Sequence, residues 1–187
     1  MIRLARFALL SLAAVGALAT SACNKHEVVH LADTEGIYVS VDGLKYQIQI
    51  SRILEPSSPE DQAYLRGVSA SDAELEGDEL WYGIFMRVEN DGDDPQAMAE
   101  NFVIRDTDGN EFEPIELDAE NNVFLYEARD LPPGTVAPIP NAPAFDNTIR
   151  GELLLFKVNA ASLGNRPLEL EIESPTGGEN AIVDVDV

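Results

Sequence analysis

Two short acidic clusters carry the residue types that could hold a divalent cation. Asp106-Thr107-Asp108-Gly109-Asn110-Glu111 gathers oxygen ligands around one turn, and Asp91, Asp93 and Asp94 gather them around another. Calcium takes six to eight oxygens, so either cluster would need a second loop to complete its shell. Asp, Asn and Gly are also turn formers for backbone reasons, and this simpler account is the expected one. Asp106, Asp108, Asn110, Asp91, Asp93 and Asp94 therefore stand as calcium candidates in a chain otherwise expected to need no metal or cofactor. His26 and His30 have a spacing that would suit a metal on a helix, but a site needs three or four converging ligands. Beyond them the chain has no histidine and, after Cys23, no cysteine, which excludes Ser-His-Asp and Cys-His nucleophilic systems and the common zinc sites from the folded region. It also lacks a Gly-rich phosphate loop. Carboxylate-pair hydrolysis stays open, yet every acidic run falls in a turn or loop, and the expectation is a protein that is not an enzyme. Arg52, Arg87 and Arg105 lie in or beside apolar runs. Each either pairs with an acid near a strand end or joins the others around an anionic ligand.

The one cysteine, Cys23, follows the small residues Thr20-Ser21-Ala22, an apolar run from Phe7 to Ala19 and a basic start with Arg3 and Arg6. That order is an export signal. With its thiol just past the cut, the chain looks like a bacterial lipoprotein precursor: residues 1–22 would be the signal peptide and Cys23 the lipidated first residue. Ser21, Ala22 and Cys23 match the usual Leu-small-small-Cys pattern, while Thr20 stands where Leu is commonest. Simple secretion is the alternative, and it would leave a lone reactive thiol outside the cell. The apolar run is shorter than the about 20 residues of a membrane span. Residues 23–35 read as the lipidated end and a polar tether, whose residues 24–35 at roughly 3.5 Å each reach at most about 40 Å.

Composition bounds the partners. Hydrophobic residues are 45% and charged residues 25%, as in ordinary globular domains, and the net charge is -22. Without Arg3 and Arg6 it becomes -24. Such a surface repels nucleic acid and anionic headgroups, so membrane association would depend on acyl chains, two of which anchor stably. Solubility is the plain reading of the acidity. Binding of cations or of a basic envelope protein is the sharper one.

The elements that must position these residues follow a period of two. Leu44, Tyr46, Ile48 and Ile50 alternate with polar residues, and Ile37, Val39 and Val41 precede them across an Asp42-Gly43 hairpin turn. Leu80 to Val88 is apolar on both faces and reads as a central strand, with Trp81 on its second face. Phe102–Arg105 and Glu111–Ile115 flank a second hairpin; a short strand near Val136, Arg150–Val158 and Leu168–Ile172 follow. Residues 59–66 suit one or two helical turns, and 69–78 a long acidic loop. Residues 176–187 read as an acidic edge strand or a tail. Many short strands with turns between them predict an all-β antiparallel sandwich over residues 36–175.

Gly43-Leu44-x-Tyr46, Ser51-Arg52-x-Leu54-x-Pro56, Pro59-Glu60-Asp61 and Trp81-Tyr82-Gly83-x-Phe85-x-Arg87-Val88-x-Asn90, with Asp106-Thr107-x-Gly109 and Arg166-Pro167-Leu168-Glu169-Leu170 further on, carry a resemblance. It is to bacterial extracytoplasmic domains of unknown function with an immunoglobulin-like β-sandwich, and it spans roughly residues 36–174. It implies an exported, often lipid-anchored module and no particular activity. Trp81 reads as core, with an exposed ligand platform as the alternative. Trp81, Arg52 and Arg87 are thus the binding candidates. The sequence as a whole reads as a lipid-anchored, non-catalytic binding or structural module on the extracytoplasmic face of the cell membrane. The alternative is a secreted or anchored domain that binds calcium or a small ligand.

Overall fold

The structure is a computed structural model and describes residues 28–185; the export signal, Cys23 and His26 lie outside the described residues. In chain order the strands are β1 (Leu31–Ala32), β2 (Tyr38–Val41), β3 (Leu44–Leu54), β4 (Glu79–Asn90), β5 (Gln96–Ala97), β6 (Phe102–Arg105), β7 (Glu111–Phe112), β8 (Asp130–Leu131), β9 (Thr135–Ala137), β10 (Glu152–Asn159), β11 (Leu168–Ile172) and β12 (Ala181–Val185). Two short helices, α1 (Asp61–Tyr64) and α2 (Pro143–Asp146), lie in the connections.

The strands form two facing sheets, and the fold is a β-sandwich. One sheet runs β1-β12-β11-β6-β7, the other β10-β4-β3-β2, with β9 pairing the far end of β4; β5 and β8 make a separate two-stranded ribbon. Every pair is antiparallel except β1 with β12, which is parallel. Alternation explains the core. Leu44, Tyr46, Ile48, Tyr82, Ile84, Met86 and Phe156 from one sheet meet Phe102, Ile104, Leu170, Ile172 and Val183 from the other, all buried. Asp42 and Gly43, at φ 47° and 83°, make the hairpin turn between β2 and β3, where positive φ is required.

The second face of β4 is also covered. Leu54, Trp81, Phe85, Leu153 and Leu155 pack beneath α1 and the segments that carry Tyr64, Leu117, Phe124 and Leu125. Gly83 is needed here, since a Cβ would stand 3.0 Å from the Leu54 side chain and 3.2 Å from that of Leu153.

Three expectations change. A bulge between Ile48 and Ile50 shifts the register of β3, so Ile50 leaves the core face and is 37% exposed, while Ser51 turns inward. The C-terminal segment is neither tail nor edge: β12 lies inside its sheet, between β1 and β11, with Val183 buried. The reason is the third change. Residues 28–35 are not tether, because Val29 accepts the Ser40 N–H at 2.6 Å, His30 accepts the Ile182 N–H at 2.8 Å and Ala32 is buried. That segment bridges one edge of each sheet and closes the sandwich on that side.

Candidate functional site

Asp106 ends up buried just past β6, and donors already surround its carboxylate. Oδ1 accepts the backbone N–H groups of Asp108 and Asn110 at 3.0 and 2.9 Å, and Oδ2 accepts Nδ2 of Asn110 at 2.7 Å and of Asn165 at 3.3 Å. Burial pushes Asp106 up, but the bonds from Asn110, Ser162 and Asn165 outweigh it and hold the carboxyl well below its usual range. N–H groups thus occupy the directions a cation would use. Asp108 accepts from Asn165 at 2.8 Å. In the other turn, Asp91 pairs with Lys45 at 2.5 Å, and Asn90 organises the backbone by accepting from Gly92 and donating to the Asp94 and Leu131 carbonyls. The side chains of Asp93 and Asp94 are exposed. Among the described residues no three His, Cys, Asp or Glu side chains gather closely enough to hold a metal ion.

The arginines do not converge. Arg52 grips the buried carboxylate of Asp61 with both Nη atoms, and Asp61 also accepts the Glu55 N–H at 2.8 Å, which fixes the chain entering α1. Arg87 donates to Glu89 at 2.7 Å, and Tyr38 donates to the same oxygen at 2.7 Å. Arg105 pairs with Glu111 and Glu171. Trp81 is 4% exposed; Lys157 lies 5.4 Å from its ring centroid, and it floors a small apolar hollow with Leu65, Val68 and Leu75. Its burial leaves little face for a ligand platform.

A different place has the shape of a site. The outer edge of β10 is only partly covered: Ile115 donates to the Leu155 carbonyl at 2.8 Å, while Phe124 accepts from Leu153 at 2.6 Å and Tyr126 donates to Leu153 at 2.9 Å. Between these two docked segments opens a cleft of about 660 Å³. Leu153 to Leu155 floor it, and Pro114, Ile115 and Leu125 form its half-buried apolar sides. Residues 100–103 and Glu173 build the far wall, where the Glu173 N–H bonds the Asn101 carbonyl at 3.1 Å. Tyr126 fixes that wall by edge-on contact with Phe102 at 5.1 Å and by donating to the Ala99 carbonyl at 2.9 Å. Ala99 N–H in turn donates to Tyr46 Oη at 2.7 Å. Burial pushes the Tyr46 phenol up to about 12 and the Tyr126 phenol well above its ordinary value, so both stay neutral.

Five glutamates line the cleft, Glu100, Glu113, Glu116, Glu127 and Glu173, and no lysine, arginine or histidine does. No ion pair joins the carboxylate of any of the five to another described residue. Behind the floor, Arg129 is held by the buried Glu152 at 2.6 Å and also donates to the Glu127 carbonyl at 2.8 Å, so of the five only Glu127 has a cation beside it. Burial raises the Glu152 carboxyl even so.

Sequence reasoning missed this cleft because its acids are scattered singly along the chain, whereas it searched for runs. The one usable signal was position: Glu100 precedes β6, Glu113 follows β7 and Glu173 follows β11, so all three belong to strand ends.

No family model matches the chain, and no curated protein matches it. Among solved structures it is similar to the yjhA protein from Bacillus subtilis, with 11% identity and a TM-score of 0.48 over 82% of this chain and 99% of that one. It is also similar to ycdA, a candidate lipoprotein of Bacillus subtilis, with 15% identity and a TM-score of 0.48. There the match covers 80% of this chain and 38% of the other, so the chain spans well under half of that protein. An uncharacterized β-sandwich protein from Clostridium difficile matches at 9% identity and a TM-score of 0.43, over 83% of this chain and 95% of that one.

Proposed function

We propose that the chain is a lipid-anchored, immunoglobulin-like module of the cell envelope, outside the cytoplasm, that binds a ligand in the β10 cleft and catalyses nothing. The cleft carries this reading: an apolar floor and unpaired charges meet in a concavity within the size range of small-ligand sites. The acidic turns support the alternative, calcium binding, less well, since the Asp106 carboxylate is already engaged by hydrogen-bond donors. Cys23, next to small residues after an apolar run, supports the anchor. Only residues 23–27 then separate the lipid from the first described residue, at most about 18 Å of chain.

Intact mass of the protein from membrane and soluble fractions tests the anchor. Acyl mass on an N-terminal Cys23, absent from Cys23→Ser, is the expected result; an unmodified chain in the medium would replace anchoring with secretion. Maleimide labelling tests the cleft. Ala119→Cys places a thiol in its lining, Ser57→Cys places one on an exposed loop, and a lipidated Cys23 is a thioether that does not react. Labelling of Ala119→Cys slower in cells than in the purified protein, with no such difference at Ser57→Cys, is expected. Equal rates would remove the cleft from the proposal.

A further inference from the structure

We infer that the cleft takes a small organic cation of the linear oligoamine class, amino groups spaced along methylene chain; this rests on the reading of the cleft as the binding site. Three observations set the ligand's chemistry. The charge at the rim is wholly negative, five glutamates with no basic neighbour in the lining. Six of the nine described lysines and arginines are spent on individual acids elsewhere: Lys45, Arg52, Arg87, Arg105, Arg129 and Lys157 each have a carboxylate partner. Apart from Arg129 beside Glu127, no ion pair within the described domain neutralises the rim.

The spacing of the acids excludes the simplest cation. No three of them come together as a metal shell. Glu173 follows β11 beside Asn101, while Glu113 follows β7 where Pro114 bridges to Phe156, so the two acids come from strands on either side of β6. An inorganic ion would meet at most two of the carboxylates and would remain hydrated. An extended cation reaches both acids, and its methylenes lie on the half-buried Ile115 and Leu125, which gain from losing water. Ammonium groups at the rim keep partial hydration while forming charge-assisted hydrogen bonds to carboxylates. A cleft of about 660 Å³ suits a molecule of this size and not a folded partner.

Spermidine is the probe. Calorimetric titration of the purified full-length protein at low salt is expected to show saturable one-to-one binding. In Glu113→Gln/Glu173→Gln the affinity should fall at least about tenfold. Asp93→Asn/Asp94→Asn, which changes net charge equally at an exposed turn, should alter it less than about twofold. An unchanged melting temperature in both double variants confirms that they fold. Equal weakening by the two pairs, displacement of spermidine by equimolar calcium, or absence of binding would each overturn the assignment. Protection of Ala119→Cys in cells without spermidine binding would overturn the ligand class and leave the cleft as the binding site; loss of both would overturn the two together.

Discussion

The Asp106 turn and the β10 cleft are both acidic, and they use their carboxylates in opposite ways. At Asp106 the anion is buried and ringed by N–H donors from three other residues, so its charge holds a turn and a neighbouring loop in place. Asp61 does the same for the start of α1, with Arg52 as its partner. In the cleft the carboxylates lie at a rim over apolar side chains and form no ion pair with another described residue. The lesson is that a carboxylate ringed by donors holds the chain around it, while acids spaced singly around a concavity hold no turn in place.

The sharpest way to break this contrast is to remove a built-in carboxylate. Asp61→Ala leaves Arg52 without its buried partner, and since the guanidinium is about a third exposed the cost should be about 2–3 kcal/mol, at the low end for buried pairs. Denaturant unfolding measures it, and a loss under about 0.5 kcal/mol would class Asp61 with the cleft acids. Asp106→Ala should lower the melting temperature by several degrees, through unsatisfied N–H groups in the turn.

Acid titration separates the same two groups. Asp106 and Asp42 are both held below their ordinary 3.8; burial opposes this, but hydrogen bonds outweigh it, from Asn110, Ser162 and Asn165 in one case and from Ser174 and Thr176 in the other. A depressed carboxyl contributes stability that is complete above its ordinary value and is lost as pH falls through its folded one. Glu152, raised by burial above its ordinary 4.5, has the opposite sign, and protonating it relieves a cost. The melting temperature should therefore hold or rise slightly from pH 7 to about 5 and fall below about 4. Asp106→Asn should flatten the acid limb, and an unaltered limb would show that another group controls it. The smallest effect belongs to the cleft: Glu113→Gln/Glu173→Gln should change stability by no more than about 0.5 kcal/mol, in the stabilising direction if like charges repel. A larger loss would mean that these acids are structural after all.

Most strands are legible in the sequence because one face of each is buried and alternation records it, as at Leu168-Glu169-Leu170. The buried second face of β4 is legible for the same reason, in the unbroken apolar run around Trp81. The bulge in β3 is not, because Ile50 continues the apolar alternation that the backbone abandons. Nor is the interior place of β12, which depends on a polar-looking segment 150 positions earlier joining its edge. The cleft is illegible for a related reason. It exists where two connections dock on one strand and leave a gap, and no local pattern encodes a gap.

The parallel pair of β1 and β12 has a consequence for the order of folding. Leu31 faces Ile182, so the seam that closes one side of the sandwich joins the two ends of the described chain. Bringing them together closes a loop of roughly 150 residues, an entropic cost that can be met only once the strands between have already drawn the ends near. The N-terminal strand, first to be synthesised, is among the last to find its partner. Until then the neighbouring edges of both sheets stand open, and this unfinished state is when the domain is most exposed to proteases and to pairing with another copy.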